Sequence, residues 1–214
     1  MSYDTSVGVA YYISQTFASA KTLTIVSNAN PALATSVGHG YSDNDEVLYE
    51  GGWERANNGV FKVDQQSADT FLIKGLNSSS ITLYTAGGGL GTTKKISSWI
   101  EIPQILGVTP EGGDPRYIDV NPVKLLQGFK LNAGFNPASI SWEIGFDSAL
   151  TDWDTLLDIS RNQTAVAYKR VKGTKATYGY GFFSLSEQPQ DASGAVVTVR
   201  ATFSAQGPLI SYAT

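Results

Sequence analysis

An all-β fold is the class the sequence predicts: an antiparallel β-sandwich with one flanking α-helix and a small inserted β-domain. The 214 residues include 22 glycines beside abundant Ser, Thr, Val and Tyr, and β-branched and aromatic residues fit a pleated, half-buried surface. Turn-forming clusters recur at short spacing between apolar runs. Apolar and polar residues alternate in Phe129–Phe135 and again in 197–204, the period-2 mark of one buried and one wet strand face. The length suffices for one ordinary domain, or a modest domain with an insert, and for a real core.

Residues 7–13 read as a strand. With Ala18-Ser19-Ala20 behind them they imitate a secretory leader, but the stretch before them carries Asp4 and no Lys or Arg, where a leader needs positive charge. Between Thr22 and Thr92 short apolar runs are broken by Asn28-Ala29-Asn30-Pro31, Ser42-Asp43-Asn44-Asp45, Gly51-Gly52 and Asn57-Asn58-Gly59, turn signals at the spacing of a small barrel or meander. Strands are expected at 22–26, 33–36, 46–50, 60–65, 70–74 and 81–84. Gly87-Gly88-Gly89-Leu90-Gly91 then reads as a flexible linker. Residues 22–92 are accordingly expected as an inserted domain, with 1–21 and 93–214 as a discontinuous core domain.

Residues 98–108 are apolar-rich, and Pro103 among them marks an edge position or a bulge, because proline has no amide to give the ladder. Residues 109–127, with Gly112-Gly113-Asp114-Pro115 and Asn121-Pro122, read as a long excursion between strands, and connections of that length are often functional. Phe129–Phe135 follows as a strand with its odd positions buried. Residues 139–146 alternate through Ile140, Trp142, Ile144 and Phe146, and both a short strand and a helical turn stay open there. Residues 152–161 form the helix: Thr151 can cap it, Asp154 takes the capping-box position, and Trp153, Leu156, Leu157 and Ser160 fall on one side. A hairpin of 165–171 with 176–185, across Lys172-Gly173-Thr174-Lys175, and the strand 197–204 complete one antiparallel sheet.

The chemistry-bearing residues are few. Without cysteine there is no disulfide, thiolate nucleophile or thiolate metal site. One histidine, His39, leaves no multi-histidine metal site and removes most imidazole acid–base schemes; between Gly38 and Gly40 it reads as a turn or packing residue. Glu101, Asp119, Glu143, Asp147 and Asp154 show no spacing that would hold a glycosidase carboxylate pair. Asp43-Asn44-Asp45-Glu46 lacks the alternate ligands and late Glu of a calcium loop and reads as a polar turn. The glycine run lacks the trailing Lys-Ser/Thr of a phosphate loop. No catalytic residue, metal or cofactor is expected. A net charge of −4 provides no general basic surface for phosphates, and no run of about 18 apolar residues is present to span a membrane. Tyr178, Tyr180 and Phe182 share a strand face, open to core packing, an intersubunit contact or a stacking platform for sugars or bases.

The order of strand 129–135, helix 152–161, strand 164–171, turn, strand 177–186 and a long final strand 195–205 resembles the core of siphophage major tail tube proteins, those of long, non-contractile phage tails. The resemblance rests on Leu-Asn-Ala-Gly-Phe-Asn-Pro at 131–137, Ala-Tyr-Lys-Arg-Val at 167–171, Gly-Tyr-Gly-Phe-Phe-Ser-Leu at 179–185, and Ile118-Asp119-Val120 ahead of Phe129. It covers 1–21 and 93–214. Within the insert, Asn30 to Thr35, His39-Gly40-Tyr41, Asp45-Glu46-Val47, Asn58 to Val63 and Thr70-Phe71 are similar to the small β-module called FCCH-like, with Asn44-Asp45 where that module has Gly-Asp. No activity is implied by it.

The resemblance implies a ring-forming tail tube fold: homohexameric rings stacked around a lumen, with the edge strands of each copy completed by the next. It implies a virion protein, assembled in the host cytoplasm, with no membrane anchor. The tape measure protein would occupy the lumen before double-stranded DNA passes, and tail terminator and tail tip proteins would be further partners. The inter-subunit or inter-ring loop falls on 111–127, with Glu111, Asp114, Arg116, Tyr117, Asp119 and Lys124 as its contact residues. Phe129, Leu131, Tyr178, Tyr180, Phe182 and Arg200 become ring-forming strand candidates, and the insert falls on the tube exterior. A charge of −4 per copy suits a bore that passes DNA without tight binding. Two rival readings use the same strands: a monomeric carbohydrate-binding or adhesin-like β-sandwich module, and a hydrolase with a carboxylate pair in a cleft. The type VI secretion tube protein shares the ring-forming fold, and the insert and N-terminal segment favour phage.

Overall fold

The computed structural model describes residues 7–124, 126–147, 151–191 and 193–213. The first strands are β1 (Val9–Phe17), β2 (Lys21–Leu23), β3 (Ile25–Val26), β4 (Ala32–Thr35), β5 (Glu46–Gly51), β6 (Gly59–Gln65), β7 (Thr70–Lys74) and β8 (Gly91–Glu101). Then come β9 (Ile105–Glu111), β10 (Pro115–Val120), β11 (Phe129–Phe135), β12 (Ser139–Gly145) and the helix α1 (Thr151–Asn162). The chain closes with β13 (Ala165–Lys172), β14 (Lys175–Leu185), β15 (Thr198–Ala205) and β16 (Ile210–Ala213). The protein is all-β with a single helix among the described residues. Two compact units divide it: one holds Met1–Pro103, Gln163–Phe182 and Gln206–Thr214, the other Gln104–Asn162 and Phe183–Ala205.

In the first unit the strands are antiparallel and lie in the order β3-β4-β7-β6-β5-β8-β1-β13-β14, with β2 also on β8 and β16 also on β14. β5 and β6 sit between two apolar layers. Val47, Tyr49, Phe61 and Val63 point into one cluster with Trp53, Phe71 and Ile73, while Leu48 and Val60 point into another with Ile96, Ala167 and Tyr178. That is why Val47-Leu48-Tyr49 and Val60-Phe61 are continuous apolar runs rather than alternating ones. β8 joins the segment 22–92 to its surroundings, since Gly91 to Lys95 pair with β5 and Ile96 to Glu101 pair with β1.

Three local expectations for this unit fail, each for a physical reason. Residues 22–26 are two strands, because the chain bends at Thr24, whose amide donates to Thr35 O, and β2 pairs β8 while β3 pairs β4. Residues 81–84 are a turn: the Leu83 and Tyr84 amides both donate to Ser80 O, and Asn28 Nδ2, far off in the chain, donates to Ser78 O and Tyr84 O, so these groups are taken from any ladder. The glycine run expected as a flexible linker is ordered. Tyr49 Oη donates to Gly89 O at 2.7 Å, and Trp53 Nε1 donates to Thr85 O at 2.8 Å. A Cβ on Gly89 would lie 2.8 Å from the Trp53 ring, so glycine serves close approach there rather than freedom.

The polar turn expected at 43–46 forms as such. Asp43 Oδ1 accepts from the Gln65 amide, Asp45 Oδ2 accepts from the Ser42 amide and from Lys95 Nζ, and Asn44 takes φ of 66°. His39 is buried. Its Nδ1 accepts from the Tyr41 amide at 2.9 Å, which leaves Nε2 to donate to Ser67 O at 3.1 Å, and the ring packs between Tyr41 and Phe71.

The second unit is built on β9-β12-β15, with the last residues of β14 beside β15. The stretch 139–146 resolves as a strand, β12, paired on both sides: Trp142 lies opposite Val108 and Ala201, and Ile144 opposite Ile105 and Val199. Pro103 separates β8 from β9, where Gln104 takes φ of 47°. In α1 the acidic first turn and Arg161 in the last turn match the helix dipole. Trp153, Leu156 and Ser160 are buried, and Ser160 Oγ accepts from the Leu185 amide at 2.9 Å. The Thr151 cap expected from sequence lies outside the described side chains.

Candidate functional site

The excursion expected at 109–127 contains strand at 109–111 and at 115–120. β9 runs to Glu111, Gly112 and Gly113 turn the chain at φ of 78° and 77°, and β10 then pairs β11 as a separate two-stranded ribbon. Gly112 is required, because a Cβ there would run into the Pro137 carbonyl. At the base of the ribbon the Gly113 amide donates to Asn136 O and the Asn136 amide to Asp114 O. Along it, Arg116 donates from Nε and Nη2 to Ala133 O, and Asn132 Oδ1 accepts from the Gly134 amide.

Register sets the two faces of this ribbon. Ile118 is opposite Leu131 and Val120 opposite Phe129, so these four share one side; Tyr117, Asp119, Lys130 and Asn132 share the other. The burial expected for the odd positions of β11 is not found: Phe129 is 47 % exposed, Leu131 50 % and Ile118 57 %. Alternation was read correctly as an apolar side and a polar side. The cover was not, since no third layer lies over this ribbon among the described residues. On the polar side Lys130 Nζ stands 3.7 Å from Asp119 and 5.9 Å from the centre of the Tyr117 ring. Lys124 is exposed on the connection between the two strands.

The other candidates separate. Tyr178 is buried, donates to Glu46 Oε1 at 2.6 Å and stacks edge-on against Tyr212, so burial and that carboxylate push its phenol well up from its ordinary range. Tyr180 is half-buried beside Phe17, and its phenol is also raised by burial. Phe182 is exposed. The aromatic row is thus packed at two of its three positions and is not a displayed platform. Arg200 is exposed on β15 and donates to Ser141 Oγ at 3.1 Å; Glu111 is exposed at the end of β9, and both line a groove of about 390 Å³ in the second unit. Asp114 is exposed at the ribbon's start.

Sequence reasoning missed Glu46. Its carboxylate accepts from Trp99 Nε1 (2.6 Å), Tyr178 Oη (2.6 Å) and Lys169 Nζ (3.3 Å), and Lys169 lies 4.4 Å from the Trp99 ring centre. Four strands of the first unit meet on that one side chain. The only signal available was an acidic residue heading an apolar strand, which is indistinguishable from a solvated strand end.

The functional features of this chain are strands, edges and apolar faces, and its buried polar groups are tied into packing; this is the pattern of a structural β-protein. Residues 51–214 match the family described as phage tail tube protein, TTP, and the chain belongs to that family. It is a structural component of a phage tail and not an enzyme. Among solved structures the chain is similar to one described as the tail of an empty GTA particle computed with helical refinement and C6 symmetry, at 16 % identity and a TM-score of 0.41, over 53 % of this chain and 86 % of that one. A second, described as the virion of a native gene transfer agent (GTA) particle, is similar at 17 % identity and a TM-score of 0.40, over 54 % and 89 %. Among curated proteins none matches.

Proposed function

We propose that copies of this chain form hexameric rings that stack into the tube of a long, non-contractile phage tail, which holds the tape measure protein and then conducts double-stranded DNA. The β10–β11 ribbon is the observation that carries this reading. An isolated two-stranded ribbon is marginal in water, and one with Ile118, Leu131 and Phe129 on its surface needs apolar cover. A second copy of the chain supplies it. β9 points the same way: it is bonded to β12 on one side, and Leu106 and Val108 are exposed on it, which for a lone subunit is an open template for pairing. Closure with neighbouring subunits removes that edge.

In this reading the segment 22–92 is an FCCH-like module on the tube exterior, because a folded module inside would block the bore. Tail terminator and tail tip proteins cap the two ends, and assembly takes place in the host cytoplasm. Concentration-dependent sedimentation with negative-stain microscopy tests the proposal. Rings or tubes that grow with concentration are expected; a chain that stays monomeric at every concentration overturns it and returns the β-sandwich to the class of monomeric binding modules.

A further inference from the structure

We infer that residues 206–213 form a strap that locks the segment 22–92 onto the β13–β14 hairpin, with Tyr212 as its positioning residue, so that the segment moves as one body with its host sheet. All the parts lie within the first unit, and none of them depends on the tube reading. An inserted segment is joined to its host at two crossings, here 18–20 and β8, and relative motion is the ordinary behaviour of such a piece unless a further contact prevents it. β8, the Glu46 contacts and the burial of Leu48 and Val60 hold the segment along β5 and the start of β6. Attachment on that side alone leaves a hinge.

The strap takes hold on the other side. As the chain leaves β15, the Gln206 amide donates to Tyr180 O on the hairpin at 2.8 Å. Gly207 then passes so close to the turn before β6 that a Cβ on it would run into the Asn58 carbonyl. β16 pairs with the first half of β14, Ile210 opposite Tyr178 and Tyr212 opposite Ala176. Alternation sends Ile210 and Tyr212 toward the segment, while Ser211 between them is exposed, with its Oγ 3.0 Å from Thr177 Oγ. Ile210 packs against the apolar cluster of Trp53, Phe61 and Phe71, whose buried members all come from 22–92.

Tyr212 enters the ladder of the segment itself. Lys62 and Lys74 are cross-strand partners on β6 and β7, and the Tyr212 hydroxyl accepts from the Lys62 amide at 3.3 Å and donates to the Lys74 carbonyl. It stands as a rung between the two strands, brought from 138 residues further along the chain. Gly75, next to Lys74, takes φ of 81°, and a Cβ there would lie 3.0 Å from the Tyr212 ring, so glycine both turns the chain and makes room for the ring. The ring also meets Tyr178 of the hairpin edge-on, centres 5.7 Å apart. Such a seat takes a flat apolar body with one donor and one acceptor at its tip, which is what tyrosine offers.

The chain has no cysteine, so two introduced thiols carry spin labels at chosen places. Val37→Cys, on an exposed turn of the segment, and Thr174→Cys, on the exposed turn of the hairpin, are labelled together and mixed with an excess of unlabelled parent, so that each measured pair lies within one copy. Pulsed dipolar spectroscopy should give a single narrow distance distribution, and a clearly broader one once Ile210→Ser and Tyr212→Ala are added at unchanged circular dichroism. In Tyr212→Phe the Lys62 amide, which loses its acceptor, should exchange with solvent several-fold faster than in the parent. A broad distribution in the parent shows a segment hinged on its host and overturns the inference. A distribution that stays narrow without the two strap side chains shows that β8 and β5 hold the segment unaided, and overturns it equally. Parent-like exchange at Lys62 removes Tyr212 as the positioning residue. If the double variant does not fold, Tyr212→Phe decides alone: a broadened distance supports the strap, and a parent-like one overturns it.

Discussion

β11 and β15 carry the same pattern and end in opposite surroundings. Both alternate apolar and polar residues over a full strand, and both were expected to bury the apolar side. In β15 that side meets Trp142 and Ile144 across β12, and Val199, Ala201 and Phe203 are buried. In β11 the apolar side meets only Ile118 and Val120 of β10, and Phe129 and Leu131 stay half-exposed. A period of two says which side of a strand is apolar, and it is silent about which molecule covers that side. In the tube proposed above, the strands without intramolecular cover are the candidates for contact between copies.

The comparison breaks first at β15. Phe203→Ala removes a fully buried ring, and truncations of that kind cost about 3–5 kcal/mol. Urea unfolding followed by tryptophan fluorescence should show a loss of that size, enough to unfold much of a marginally stable population. A change below about 1 kcal/mol would mean that the β9-β12-β15 layer is not the core of its unit.

A smaller effect is expected where the first unit is tied by charge rather than by apolar packing. Glu46→Gln leaves Lys169, whose side chain is 17 % exposed, without its counter-charge, while the one amide oxygen of the glutamine can still accept from Trp99 and its NH2 group meets the Tyr178 hydroxyl, which can turn to accept. A loss of about 1–3 kcal/mol follows from an ammonium held out of water with nothing to balance it. The double variant Glu46→Gln, Lys169→Met should recover part of that loss. Purely additive losses would show that the two side chains do not act on each other.

Strong base should loosen the same unit. Burial pushes the Tyr49 phenol up to about 12, and burial also raises that of Tyr212, whose hydroxyl donates to Lys74 O, to about 12. Both values lie above the ordinary 10, so the folded chain keeps these protons where the unfolded chain releases them. Their contribution is therefore complete below pH 10 and is lost as pH rises toward 12. Tyr49 alone, fully buried, is worth on the order of 2 kcal/mol across that interval. Phenolate absorbance should appear together with loss of structure, and Tyr212→Phe should weaken the pH dependence of unfolding in this window. Phenolate that forms at pH 10 without unfolding would contradict the burial of these rings.

Much of this fold is legible in the sequence. β5, β6 and β7, the β13–β14 hairpin across Gly173 and Thr174, β15 and the inward side of α1 follow from apolar runs, turn residues and helical spacing that act within a few residues. The failures share a cause in partners distant along the chain. Asn28 takes the carbonyls of Ser78 and Tyr84 and turns an apolar tetrad into a loop. Trp53 lies on Gly89 and makes an apparent tether a packed turn. Glu46 gathers donors more than 50 residues away, and nothing beside it in sequence announces them. In the proposed tube the same blindness hides the cover of β11, because the partner that would supply it there is a second copy rather than a residue of the same chain.

The smallest effect on folding, and the sharpest form of the comparison, belongs to the ribbon. Leu131→Ser exchanges an apolar side chain for a polar one at a position that is 50 % exposed and faces Ile118 alone among its cross-strand partners. Surface substitutions of this kind fall within about 0.5 kcal/mol, so the isolated subunit should unfold at the urea concentration of the parent. Tube formation should nevertheless fail, because in the polymer the same side chain is the one that needs cover. Asp119→Asn, on the opposite side of the ribbon, is the control: its contact with Lys130 is long and exposed, and neither folding nor assembly should depend on it. If Leu131→Ser instead destabilises the monomer as Phe203→Ala does, the ribbon is covered by its own chain in solution, and the contrast between β11 and β15 disappears. If it leaves both the monomer and the tube intact, the apolar side of the ribbon faces water in the polymer too, and the joint between copies has to be sought at the β9 edge.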